Sequence, residues 1–269
     1  MTRKFLMAIS LAVLAVTVPA VEVNAATAQL QPHRAVYTMA FGTARSSGGT
    51  ADARGVMYIE WAEGCDGWTS SQRVKLMLYP TQGGEIDTDS NFSSWESRDG
   101  GSYRFTVRNT RNGQVTEELR GDAKLDGPDR SGRAAFATPP GLSFALPKGA
   151  LFPTEHMLRL IVAAQAGERR FSRVIFDGSN VAGPMEANAI IGAAGRPSAS
   201  MPVELQTFVS WPVRLAFFSI NSQQAEPEQE MAIRLYENGV ADQFVIDYGD
   251  FTVTAVLAKM EPLSRPKCD

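Results

Sequence analysis

Histidine and cysteine are the scarcest functional residues in this chain, with two of each in 269 residues. A zinc centre needs three or four Cys, His or carboxylate ligands, and His33 and His156 stand far apart in sequence, so no metal site is expected. The cysteines, Cys65 and Cys268, do not form a Cys-x-x-Cys pair, which argues against a redox-active dithiol. There is no basic excess: 26 Lys and Arg face 29 Asp and Glu, a formal charge of −3. A nucleic-acid protein normally shows a basic face, so none is expected as a partner. A Gly-x-Ser-x-Gly elbow is missing; the nearest stretch, Gly141-Leu142-Ser143-Phe144-Ala145, lacks the last glycine. No phosphate-cradling Gly-x-x-x-x-Gly-Lys loop and no internal repeat occur, so no cofactor is expected.

What is present begins with an address. Arg3 and Lys4 precede a run from Phe5 to Val18 that is apolar apart from Ser10 and Thr17. Pro19 breaks the run, and Val23-Asn24-Ala25 offers small residues to a signal peptidase. The run falls short of the roughly 20 apolar residues needed to span a bilayer. The expectation is a secretory signal over 1–25 and one exported, soluble periplasmic domain over 26–269, without a transmembrane segment after cleavage. A hydrophobic fraction of 44% and a charged fraction of 20% suit a globular body of that size.

Export exposes thiols to oxidising conditions, where an even pair usually bridges. A Cys65–Cys268 disulfide would close about 200 residues and remove about 5 kcal/mol of unfolded-state freedom in the loop-entropy model. Two buried thiols that never meet are the alternative.

Turn signals are dense: Asp66-Gly67, Asp99-Gly100-Gly101, Asn112-Gly113, Asp126-Gly127, Asp177-Gly178 and Asn238-Gly239. Between them apolar and polar residues alternate, as in Tyr103, Phe105 and Val107 against Arg104, Thr106 and Arg108. Period two with one apolar face predicts antiparallel sheet. The stretches 135–147 and 192–202, rich in Gly and Pro, are expected to be long loops. One segment differs. Met157, Leu160, Ile161 and Ala164 share a helical face, with Thr154 suited to the N-cap and Gly167 to the residue past the C-terminus. The fold class expected is all-β with one central helix, Thr154–Ala166, wrapped by a many-stranded antiparallel sheet. A sheet that large must curl or close to protect its edges, which gives an open barrel or spiral tied by one disulfide. Whether the helix plugs the interior or moves as a lid is left open.

Candidate functional residues are few. His156 suits a general base in principle, but a lone histidine near a helix start is usually structural. Trp61 and Trp68 lie beside Glu60 and Glu63, a pattern compatible with sugar binding or with core packing around the disulfide corner. Glu85, Asp87 and Asp89 share a strand face, which suits calcium less well than a solvated surface. A curled sheet can also hold an apolar ligand in its concavity.

Several segments together resemble one family. They are Pro32-His33-Arg34-Ala35-Val36-Tyr37, the block from Gly55 to Trp68 with Cys65-Asp66-Gly67-Trp68 inside it, Gln72-Arg73, Pro153-Thr154-Glu155-His156, Val245-Ile246-Asp247-Tyr248-Gly249-Asp250-Phe251 and Pro266-Lys267-Cys268. The chain is similar in these to the EipB-type periplasmic cell-envelope integrity proteins of Gram-negative bacteria. The resemblance implies a β-spiral around a helix, a Cys65–Cys268 disulfide, a role in envelope integrity and stress resistance, and a functional link to a periplasmic tetratricopeptide-repeat protein. It carries over no catalytic residue. The expected function is a non-enzymatic binding or scaffolding factor that meets an envelope component such as lipid or peptidoglycan. The alternatives are a carrier of lipid or another apolar ligand in the cavity, and a carboxylate-dependent envelope hydrolase.

Overall fold

The computed structural model describes residues 28–45, 49–127, 129–197, 201–220 and 224–268. The predicted leader, 1–25, lies outside them.

The first half of the chain is a meander of eight strands: β1 (His33–Ala44), β2 (Thr50–Glu63), β3 (Gly67–Pro80), β4 (Ile86–Ser97), β5 (Ser102–Arg111), β6 (Gln114–Asp126), β7 (Ser131–Thr138) and β8 (Ser143–Leu146). The helix α1 (Pro153–Gln165) follows. A second meander completes the chain: β9 (Arg170–Ile175), β10 (Met185–Ile191), β11 (Ser210–Ser219), β12 (Gln229–Tyr236), β13 (Ala241–Asp247) and β14 (Phe251–Pro262). Every neighbour in the sheet is a neighbour in sequence except one. β1 pairs with β14, which joins the two meanders into one fourteen-stranded antiparallel sheet running from β8 to β9.

The alternation predicted from sequence decides which face is buried. On β5, Tyr103, Phe105 and Val107 are buried while Arg104, Thr106 and Arg108 are exposed. Asn112 (φ 51°) and Gly113 (φ 76°) both take the left-handed conformation that a tight hairpin between β5 and β6 requires.

The stretch 135–147 is not a long loop, contrary to expectation. It contains the end of β7 and all of β8, which pair from Gly132–Leu146 to Ala135–Ser143. Ala134 and Phe136 supply the buried positions of β7, and the Pro-Gly segment is confined to the turn. Of the stretch 192–202, residues 192–197 are irregular as expected, with one isolated bridge, Gly195 to Ser210, and 198–200 lie outside the described residues.

The sheet curls because both of its ends pack on the segment around α1. Leu151, just before the helix, forms a parallel bridge with Ile175 of β9. Its N–H donates to Val174 O at 2.9 Å, and Phe176 N–H donates to Leu151 O at 3.0 Å. An aromatic cluster reinforces this closure: Tyr103 stacks on Phe152 at 5.0 Å, and Phe105 meets Phe176 edge-on at 5.6 Å. Phe152 precedes the helix and Phe176 follows β9, so the cluster binds the first meander to the second. Such pairs add roughly 0.5–1.5 kcal/mol each beyond area burial.

The helix is a plug at one end of the curl. Leu160 and Ile161 are buried to 1% exposure or less against Phe171, Trp211, Val213 and Leu235. Arg159, Val162 and Gln165 face outward. Gly167 takes φ 78° past the C-terminus, as its position predicts. Thr154 is not the N-cap. The helix starts a residue earlier, at Pro153, and Phe152 occupies the cap position without a side-chain hydrogen bond.

The disulfide joins Cys65, in the β2–β3 turn, to Cys268, with a Cα–Cα distance of 5.6 Å across 203 residues. Glu63 lies beneath it, paired with Arg98 at 3.0 Å and with Arg265 of the tail. Arg265 also donates to Leu30 O at 2.7 Å.

Candidate functional site

Glu96 is a buried carboxylate that sequence inspection does not single out. It sits near the end of β4 at 3% exposure, pointing inward beside the start of α1. Its Oε2 accepts the N–H of Thr154 at 2.7 Å and its Oε1 accepts the N–H of Glu155 at 2.9 Å. Those are amide groups that a helix start leaves unpaired. A strand carboxyl group therefore supplies the cap that Phe152 cannot, and when ionised it places negative charge at the positive end of the helix dipole. Burial pushes the Glu96 carboxyl up to about 7, and the two backbone hydrogen bonds hold it back from going further.

His156 lies one turn into the helix at 5% exposure, edge-on to Phe171 at 5.4 Å. Burial lowers it to about 4, with the Arg173 guanidinium adding to the effect. Its Nε2 has no hydrogen-bond partner among the described residues. The ring is neutral and enclosed, a packing group.

Trp61 and Trp68 are half-buried against the cluster that holds α1. Trp61 shares a narrow crevice with His33, Met157 and Asn238. The Trp61 Nε1 and Asn238 Nδ2 are buried there without partners among the described residues. The neighbouring carboxylates are engaged by other residues. Glu60 lies on the outer face with Arg34 at 2.6 Å and Tyr58 at 2.7 Å, hydrogen bonds that hold it below the usual carboxylate range. Glu63 serves the disulfide corner. The structure thus separates Glu60 from the tryptophans, while Glu63 stays opposite Trp68 across the β2–β3 pair with its carboxylate taken by Arg98 and Arg265. Asp89 is committed to Arg73 through two hydrogen bonds, at 3.0 and 2.6 Å. Among the described residues no three His, Cys, Asp or Glu side chains gather as a metal site, and no helix is long and apolar enough to cross a membrane.

The remaining feature is the trough formed by the inward, concave face of the curled sheet. Ile59, Val74 and Phe92 on one wall, and Phe217, Met231, Phe244 and Ile246 on the other, project inward by their register and remain half-buried. Gln72 and Ser90 are polar interruptions on the first wall.

An open, barrel-like antiparallel sheet curled round one helix and stapled by one disulfide defines the class. Within that class the chain belongs to the EipB-like family, whose model matches residues 24–264. It is 29% identical over 245 residues to the cell envelope integrity protein EipB of Brucella abortus (strain 2308), covering 88% of this chain and 86% of that protein. It also resembles the crystal structure of a beta-barrel-like protein of a domain of unknown function from Brucella abortus. That match has a TM-score of 0.81 and 27% identity, and covers 88% of this chain and all of the other.

Proposed function

We propose that this chain is a non-enzymatic binding factor of the periplasm that maintains cell-envelope integrity, with the concave trough as its binding surface. The trough carries the proposal: seven apolar side chains on the inward face stay half-buried, three of them packed against the cluster that holds the helix. Apolar side chains left partly open on a concave face are the lining that ligand and partner sites use. The name of the Brucella relative supports the envelope role, and the leader pattern over 1–25 together with the cross-link supports the compartment. The partners this reading implies are a periplasmic tetratricopeptide-repeat protein or a lipid or peptidoglycan component.

The test is complementation of a deletion strain under envelope stress. Val74→Asp or Ile246→Asp, which charge the trough, would fail to restore survival at normal protein levels, whereas Glu60→Gln would restore it. Full rescue by both trough variants would end the proposal. Failure of Glu60→Gln with an intact fold would favour the hydrolase alternative.

A second reading, carriage of lipid in the trough, is favoured by its apolar lining. Native mass spectrometry of gently purified protein would then show lipid adducts that Ile246→Asp lacks.

A further inference from the structure

At the C-terminal end of α1, away from the trough, lies an open cavity of about 580 Å³, the size of a small-ligand site. Trp211, Val209 and Ala164 supply apolar lining, and Gly192, Ala193 and Ala194 add small residues. Its polar groups come from Gln165, Arg169 and Glu237. Among the described residues the Arg169 guanidinium has no ion pair and no hydrogen bond. Glu237 spends Oε1 on the N–H of Val209 at 3.0 Å, and its Oε2 has no partner among the described residues. The two charges line one cavity without pairing to each other.

The helix adds a second negative element. The carbonyls of Val162, Ala163 and Ala164 accept the N–H groups of Ala166, Glu168 and Gly167 at 2.9–3.0 Å. The Gln165 carbonyl has no such partner among the described residues, and the last turn holds no basic side chain. The negative end of the helix dipole therefore borders the cavity, among whose lining residues Arg169 is the one cation.

We propose that this cavity binds a small zwitterion of the amino-acid or dipeptide class. The ligand carboxylate meets Arg169, and its ammonium meets Glu237 and the Gln165 carbonyl. A guanidinium suits a planar carboxylate through paired N–H donors. The glycine and alanine side admits small side chains, and Trp211 covers them. A simple anion would be opposed by Glu237, and a lipid chain would leave three polar groups unmatched. The site is independent of the trough and stands or falls without it.

Isothermal titration with L-alanyl-L-alanine tests it. One saturable site is expected. N-acetylation of the peptide and amidation of its carboxylate should each weaken binding by about tenfold or more, as should Arg169→Gln. Glu237→Gln keeps an acceptor for Val209 and should weaken the free peptide while leaving the N-acetyl form unchanged. Arg169 is exposed, so Arg169→Gln retains the parent melting curve and decides the matter even if the Glu237 variant unfolds. Absence of saturable binding at millimolar peptide, or equal binding by Arg169→Gln and the parent, overturns the proposal.

Discussion

The Glu96 carboxylate accepts the backbone N–H of Thr154 at 2.7 Å, across 58 residues of sequence. One strand of the first meander thereby fixes the start of the helix that plugs one end of the curl. Truncating it should free the first turn of α1. Glu96→Ala is expected to lower stability by roughly 1–2 kcal/mol, the usual worth of a helix cap, read from urea unfolding. It should also raise hydrogen exchange at Thr154 and Glu155. Unchanged exchange there would show that the cap is dispensable.

Glu96 and His156 should give opposite pH dependences. Glu96 is raised from 4.5 to about 7 in the fold. Its contribution is full below pH 4.5 and is lost as pH rises to about 7, because folding favours the protonated form. His156 is lowered from 6.5 to about 4. Its contribution is full above pH 6.5 and is lost as pH falls to about 4. Between these limits one group releases a proton on unfolding while the other takes one up, so the two slopes cancel. Relative to the parent, His156→Gln should lose stability as pH rises from 4.5 to 6.5, and Glu96→Gln should gain it. Each slope is at most about 1.4 kcal/mol per pH unit. Urea midpoints across that range check this; parallel curves for all three proteins would contradict it.

The cross-link should matter less than the loop-entropy ceiling of about 5 kcal/mol. The tail is also held by Arg265 on Glu63 and by Leu263 N–H on Pro32 O at 2.8 Å. Cys65→Ser or Cys268→Ser should cost roughly 2–4 kcal/mol and sensitise cells to envelope stress. Identical melting with and without reductant would refute this.

Phe152 is fully buried at 0% exposure and stacks on Tyr103. Phe152→Ala should cost roughly 3–5 kcal/mol, the range for large core aromatics. It should open the contact between the two meanders, seen as protease cleavage near 147–153. Resistance to cleavage would mean that the Leu151 bridge suffices alone.

The strands were legible in the sequence wherever one face is buried and the other wet, as Tyr103-Arg104-Phe105 illustrates, because the period of two is then written in polarity. The cysteine pairing was legible because only two cysteines exist. The 135–147 hairpin was obscured by Ala-Ala-Phe-Ala, whose small residues carry little contrast between faces. Thr154 departs from its expected role for a different reason. Local sequence marks good caps, but here the acceptor comes from Glu96 on another strand, and no local pattern records a contact 58 residues away. Glu96 itself sits in Ser-Trp-Glu-Ser, which resembles a solvated strand until the curl buries it. The cavity beside Trp211 is assembled from four separate segments and has no signature in any one of them.

Photo-crosslinking in living cells tests the trough most directly, with the reactive residue placed at Phe92 or Phe244 on its walls and at Thr106 or Arg108 on the outer face. Reproducible adducts to one envelope component from the two wall positions, absent from both outer positions, are predicted. Adducts from the outer positions alone, or none from the walls while the protein complements the deletion, would contradict a binding role for the concave face.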